Sequence, residues 1–135
     1  MARALAALAG ALALVTAGSV AAEEDLPGSM EYLASCAACH GAGGRGDGPV
    51  AQHLNVPPSD LTALAANNGG DFPFAEVLMV IDGRRMPTVH GERAMPVWGD
   101  RYSIEVGPEM GPQETGDVVR GRILALAQYL EAIQQ

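Results

Sequence analysis

The chain has two cysteines, which are separated by only two residues in the run Cys36-Ala37-Ala38-Cys39-His40. On a helical turn, residues i and i+3 lie on one face, so the two thiols are expected to point to the same side of the backbone. Three kinds of site use such a pair of thiols: a redox disulfide, half of a metal site, and an attachment point for haem. Because each of these sites needs a different protein around it, this run constrains the fold more than any other feature.

The residues outside the run favour haem over the other two kinds of site. A structural zinc site needs two further Cys or His ligands, whereas His53 and His90 are isolated and there is no second pair of cysteines. A thioredoxin-like dithiol accompanies a βαβ pattern, which this sequence lacks. C-x-x-C-H is the attachment signature of c-type haem, in which the imidazole becomes the proximal iron ligand. The sequence therefore predicts one covalent haem c, held by Cys36 and Cys39 with His40 on the iron.

The first 22 residues have the layout of a cleavable signal peptide. Arg3 precedes an apolar run rich in Ala, and small residues lead to a predicted cut between Ala22 and Glu23. The alternative, an uncleaved membrane anchor, would need a longer and more strongly apolar run. Export leaves a mature protein over residues 23–135, which is enough chain for one domain and one core.

The composition points to a large apolar group in the interior of that domain. Of 135 residues only six are aromatic (one Trp, three Tyr and two Phe), whereas 17 are Gly and 9 are Pro. A porphyrin would supply the volume that these side chains cannot fill, so we expect the haem-free polypeptide to be largely unfolded. The formal charge of −8, from 16 acidic and 8 basic residues, excludes the basic footprint of a nucleic-acid-binding protein.

Residues beyond the motif resemble the class I monohaem c-type cytochromes of bacteria. The nine residues that end at Cys36 follow the pattern Gly-x-x-x-Tyr-x-x-x-Cys, which is similar to the first helix of that family. The glycine-rich stretch from His40 to Pro49 is similar to its loop after the haem histidine. The resemblance spans about residues 28–102 and 117–133. It implies an all-α cytochrome c fold of three to five helices around one haem, with the Pro49 carbonyl accepting the second ring N–H of His40.

The same resemblance indicates the ligand on the other face of the iron. Met86 and Met95 both precede proline, which holds the preceding residue extended and suits a strap across a haem face. The five residues that begin at Met95 read Met-Pro-Val-Trp-Gly and resemble a conserved box of the family. We therefore expect Met95 to be the distal ligand, with Met86 as the alternative.

Hydrophobic periodicity predicts four helices. They cover residues 28–39, a short stretch capped by Ser59, residues 73–82, and residues 117–133. The segment over residues 101–114 is expected to be a surface loop, and no role is evident for residues 103–116. The side chains expected to face the core are Met30, Leu33, Ala34 and Ala37 in the first helix, Leu61 and Leu64 in the second, Phe74, Val77, Leu78 and Ile81 in the third, and Val119, Ile123, Leu126, Leu130 and Ile133 in the last.

A haem with His and Met ligands has no open coordination site, so the implied function is one-electron transfer in the periplasm rather than catalysis. The resemblance implies a donor such as a dehydrogenase or a bc1-type complex and an acceptor such as a terminal oxidase. The acidic chain favours partners with a basic docking surface, and contact with a membrane only through a partner complex. The alternatives are a haem-c subunit of a larger redox enzyme, or a five-coordinate haem sensor or enzyme if neither methionine binds iron. No small-molecule substrate or nucleic acid is expected.

Overall fold

The computed structural model describes residues 26–84 and 95–135. The predicted signal peptide, Met86 and His90 lie outside these two ranges. All regular elements within them are helical, which confirms the predicted all-α class. None of these helices combines the length and the apolar character that a membrane crossing requires. The α-helices are α1 (Ser29–Ser35), α2 (Ala37–His40), α3 (Leu64–Asn67), α4 (Phe74–Asp82), α5 (Trp98–Val106) and α6 (Pro112–Ala132), and 3-10 turns lie at Ala51–His53 and Leu61–Ala63.

Helix α6 is the element on which α1, α4 and α5 pack. It begins at Pro112, five residues earlier than predicted, since proline at the first helical position needs no hydrogen-bonded N–H. Its predicted apolar stripe is confirmed, with Ile133 half-buried at the end. The buried residues of α6 are Val119, Ile123, Leu126, Ala127, Tyr129 and Leu130.

Helix α1 crosses α6 at a point of close backbone approach. Gly28, with a φ of 84°, precedes α1, and a Cβ at this position would overlap the carbonyl oxygen of Ala125. One turn further on, Tyr32 is completely buried against Tyr129, with ring centroids 5.0 Å apart. The side of α1 that carries Tyr32 therefore faces the core.

The predicted inward face of the first helix is wrong for three of its four residues. Met30 is 72% exposed, Leu33 is 43% exposed, and Ala34 is also exposed. The close approach at Gly28 and the burial of Tyr32 turn the neighbouring stripe outward, because only one side of a helix this short can contact α6. Only Ala37 is packed against the core, and it is half-buried.

Helix α4 confirms the predicted helix over residues 73–82, whereas α5 lies where a surface loop was predicted. Helix α4 ends at Gly83, which takes the left-handed conformation of a helix C-cap (φ 85°). The segment predicted as a loop instead forms α5 and the start of α6, so residues 103–116 are largely helical and residues 107–111 connect the two. The reason lies in packing, since Trp98 and Tyr102 are one turn apart and both buried in the core. That burial favours a helix where the sequence alone has no clear apolar period.

The stretch before α3 begins one residue later than predicted. Asp60, and not Ser59, is the N-cap, since its carboxylate accepts from the Thr62 N–H at 2.9 Å and from the Thr62 hydroxyl at 2.6 Å. These two hydrogen bonds hold the pKa of the Asp60 carboxyl below its usual value. Thr62 is the buried residue here, whereas Leu61 and Leu64 are half-buried.

Candidate functional site

The structure brings the cysteine–histidine motif together on one helical turn. The chain bends at Cys36 between α1 and α2, so the predicted single helix over residues 28–39 is interrupted there. The carbonyl of Cys36 then accepts from the N–H groups of Cys39 (3.1 Å) and His40 (3.0 Å). Both cysteines are half-buried free thiols, as a site that forms bonds through sulfur requires.

The surroundings of Cys36 disfavour a redox dithiol. Burial raises the pKa of the Cys36 thiol to about 12, and the nearby side chains of Glu31 and Cys39 act in the same direction. Dithiol oxidoreductases attack with a thiolate whose pKa is lowered, not raised. Cys36 is therefore a protonated thiol at neutral pH and a poor nucleophile for disulfide exchange.

A glycine-rich loop over residues 41–50 holds the carboxyl end of α2. Carbonyl groups in the last turn of a helix have no partner within the helix, and here the loop supplies their donors. Gly48 lies so close beneath the turn that a Cβ there would overlap the backbone of Cys39. The loop therefore holds the backbone of this turn in place. The three hydrogen bonds run from Gly46 N to His40 O (2.8 Å), from Gly48 N to Cys39 O (3.1 Å), and from Val50 N to Ala38 O (3.0 Å).

A backbone carbonyl helps to orient the imidazole of His40. Its Nδ1 lies 3.0 Å from the carbonyl oxygen of Ser59. A carbonyl can only accept, so Nδ1 carries the proton and donates, and the lone pair of the neutral ring is on Nε2. A hydrogen bond of this kind fixes the orientation of a metal-ligating histidine and makes its other nitrogen a stronger ligand.

The predicted acceptor for His40, Pro49, is wrong. The carbonyl of Pro49 accepts instead from the Nε2 of Gln52 at 3.2 Å. After the loop the chain turns back, so that Pro58 contacts Gly46 of the loop. That return places Ser59, the next residue, in front of the His40 ring.

Tyr32 links the core to this loop, which the sequence analysis did not predict. Its hydroxyl donates to the carbonyl of Gly41 at 2.7 Å. Burial raises the pKa of the Tyr32 hydroxyl above its usual value, so the phenol keeps its proton and remains a donor. The buried ring of α1 is thus tied directly to the residue that follows His40. An aromatic residue eight positions before the histidine is visible in the sequence, but its partner depends on the path of the loop.

Met95 opens the second described range and lies half-buried against the core. The chain continues in extended conformation at Val97 before α5 begins, as a strap requires. Met86 lies outside the described residues, so the structure does not compare the two methionines.

The donor set and its surroundings fit a haem c group. Two thiols and an imidazole with its proton on Nδ1 share one turn, and Met95 supplies a thioether packed against the core. These are the atoms that such a group needs from a protein. In the residues that the structure describes, no three His, Cys, Asp or Glu side chains are clustered so that they could hold a metal ion by themselves. Several large apolar side chains pack on the core yet stay half-buried, which suits a flat apolar ligand. They are Leu61, Leu64, Phe72, Phe74 and Leu78.

Comparison of the chain with protein-family models, with curated proteins and with solved structures finds no match.

Proposed function

We propose that this chain is a periplasmic monohaem cytochrome c of class I that transfers one electron at a time. In this proposal Cys36 and Cys39 hold the haem through two thioether bonds, and His40 and Met95 are the axial ligands. One observation carries this proposal. His40, which lies on the same turn as two free thiols, donates a hydrogen bond to the carbonyl of Ser59. When bound, haem c supplies an Fe(II)/Fe(III) couple.

The contribution of the proximal side is to hold His40 still. The Nδ1–H of His40 donates to the Ser59 carbonyl, which fixes the plane of the ring and makes Nε2 more basic. The loop over residues 41–50 satisfies the carbonyls of the same turn, so the backbone has little freedom to move. A site that barely reorganises when its charge changes suits electron transfer.

The contribution of Met95 is to occupy the other face. A thioether ligand raises the reduction potential and leaves no open position for a small molecule. Met95 is packed against the core, which would hold its sulfur in place. This arrangement favours an electron carrier over a five-coordinate sensor or enzyme, and Met86 stays the alternative ligand.

The surface charge indicates the kind of partner. The chain carries 16 acidic residues against 8 basic ones, and many of the acidic side chains are exposed. Complementary charge accelerates the encounter of redox proteins, so the donor and the acceptor would each present a basic patch. Exposed acidic residues include Asp71, Glu76, Glu109, Glu114 and Glu131.

The test is expression of the full chain in a bacterium that matures c-type haem, followed by mass spectrometry and visible spectroscopy. We expect the purified protein to exceed the mass of its processed polypeptide by one haem, and the colour to stay with the polypeptide in acidified acetone. The double variant Cys36→Ser, Cys39→Ser should lose this covalent haem. A colourless wild-type protein would contradict the proposal.

The same preparation assigns the distal ligand. A methionine-to-Fe(III) charge-transfer band should be present in the wild type and lost in Met95→Ala. It should survive in Met86→Leu and in the control Met79→Leu, which changes an exposed methionine of α4. Loss of the band in Met86→Leu instead would transfer the ligand role to Met86, and avid carbon monoxide binding by the reduced wild type would favour a five-coordinate haem.

A further inference from the structure

Gln134 and Gln135, which follow the C-cap residue of α6, are hydrogen-bonded to the segment that supplies the acceptor for His40. We call that segment, residues 59–65, the Ser59 segment. The side chain of Gln134 makes three hydrogen bonds: its Oε1 accepts from Ala65 N (2.8 Å), and its Nε2 donates to Leu61 O (2.8 Å) and to Leu130 O (2.6 Å). The Gln134 amide thus joins the last turn of α6 to Leu61, at the start of the 3-10 turn, and to Ala65, in the first turn of α3.

Gln135 strengthens the same contact. Its N–H donates to the carbonyl of Thr62 at 3.0 Å. Its side-chain oxygen accepts from Arg45, a residue of the loop beneath His40, at 3.2 Å. The residues after α6 therefore reach the Ser59 segment and the loop together.

The other side of the Ser59 segment is held by that loop. Leu61 N donates to the carbonyl of Gly44 at 2.7 Å, and Gly46 is in contact with Pro58. The segment is thus held between the loop on one side and Gln134 on the other. Ser59, at its start, directs its carbonyl to His40 Nδ1.

We propose that Gln134 is a positioning residue for the iron ligand, which it controls through Ser59 without contacting the ligand itself. The inference rests on the proposed function, because it assigns His40 to iron. Only a primary amide presents an acceptor and two donors from one side chain, which matches one N–H and two carbonyls around it. A carboxylate would set a negative oxygen against two carbonyl oxygens. A thioether of similar length would leave all three backbone groups without their partner.

The consequence is a change in the imidazole and not only in stability. When the Ser59 segment shifts, the hydrogen bond from His40 weakens, and Nε2 becomes less basic. This loss of basicity reduces the stabilisation of Fe(III) more than that of Fe(II), so the midpoint potential rises. Changes behind a ligating histidine alter metal affinity by about tenfold or more. A tenfold preference for Fe(II) is about 59 mV in a one-electron couple.

The experiment compares the mature holoprotein with its variants Gln134→Glu and Gln134→Met. Gln128→Met, an exposed position on α6, is the matched control. The readouts are the midpoint potential and the solvent exchange of the His40 Nδ1 proton, followed by nuclear magnetic resonance in the reduced protein. Both Gln134 variants should exchange this proton at least about tenfold faster and show a higher potential, while the control matches the wild type.

A lower melting temperature with unchanged potential and unchanged exchange would overturn the inference, since Gln134 would then only stabilise the fold. Should neither variant fold, the wild type provides the test. The amide proton of Ala65 and the Nδ1 proton of His40 should exchange through one opening, with equal dependence on denaturant, and independent openings would overturn it. A wild type without haem would refute the proposed function, whereas a normal wild type with unaffected variants would refute this inference alone.

Discussion

Two buried tyrosines, Tyr32 and Tyr102, hold helices against α6, and they differ in how their hydroxyl groups are bonded. At the α1 crossing, Tyr32 packs against Tyr129 with the rings tilted, and its hydroxyl donates to the carbonyl of Gly41, next to His40. At the α5 contact, the guanidinium of Arg122 on α6 lies 4.6 Å from the centroid of the Tyr102 ring. The buried hydroxyl of Tyr102 lies near Glu31 and Ser35 of α1 but makes no hydrogen bond of normal geometry with the described residues. The first contact therefore joins the core to the site by a hydrogen bond, whereas the second lies near Cys36 without one.

The glycines at the starts of α1 and α5 also differ in what lies opposite them. Gly28 faces the backbone of Ala125 and has a positive φ. Gly99, at the start of α5, faces Asp82 of α4, whose side chain is partly exposed and pairs with Arg84. A Cβ at Gly99 would overlap the Asp82 carboxylate and would lie 3.0 Å from the Asp82 carbonyl oxygen, which is tight but not an overlap. Backbone cannot move aside as a side chain can, so the overlap at Gly28 cannot be relieved while the overlap at Gly99 can.

The largest expected effect follows from this difference. Gly28→Ala should destabilise the holoprotein by about 3 kcal/mol, because it adds overlap with Ala125 and places alanine in the left-handed region. Gly99→Ala should cost only about 1 kcal/mol, since Asp82 can rotate away. Guanidinium unfolding followed by far-ultraviolet circular dichroism measures both.

Gly121→Ala is the control for these two variants. It lies on the exposed side of α6 with open space around it, so alanine should be neutral or stabilise the helix by up to about 1 kcal/mol. Equal losses of stability in Gly28→Ala and Gly99→Ala would show that the neighbours of both glycines are equally unable to move away from an added Cβ.

The parts of this molecule that sequence predicts well are those fixed by neighbours along the chain. The spacing of Cys36, Cys39 and His40 needs only one helical turn, and the turn is there. The apolar stripe of α6 and the end of α4 at Gly83 are also local patterns, and both are confirmed.

The errors concern relations between distant segments. The acceptor for His40 is Ser59 and not Pro49, because the chain leaves the loop and returns before the hydrogen bond forms. The exposed face of α1 follows from the crossing at Gly28, which depends on a helix about 100 residues away. Likewise α5 forms because Tyr102 is buried by other helices, which no local pattern reveals.

Alkaline pH tests both contacts at once. Burial raises the pKa of Tyr32 and of Tyr102 above the usual value near 10. A raised folded-state pKa contributes stability that is fully present below pH 10 and is lost as the pH rises beyond it, because the unfolded chain ionises first. The free energy of unfolding should therefore fall above pH 10, by up to about 1.4 kcal/mol per pH unit for each tyrosine.

Guanidinium titrations at pH 9, 10 and 11 measure this slope. Each of the variants Tyr32→Phe and Tyr102→Phe should reduce the slope of unfolding free energy against pH by the contribution of one ionising tyrosine. The double variant should reduce it by the contribution of two. A slope that neither substitution changes would mean that other groups cause the alkaline loss.

The smallest effect separates the two hydroxyls at neutral pH. Tyr32→Phe removes the hydrogen bond to Gly41 and leaves a buried carbonyl without its donor, which should cost about 1 kcal/mol. Tyr102→Phe removes a hydroxyl that makes no hydrogen bond of normal geometry with its neighbours Glu31 and Ser35, so stability should stay within about 0.5 kcal/mol or rise slightly. Since Phe retains each ring contact, the difference between the two variants isolates the hydroxyl groups. Equal losses would mean that the Tyr32 hydroxyl does not tie the core to the loop after His40, and the contrast between the two contacts would then rest on their glycines alone.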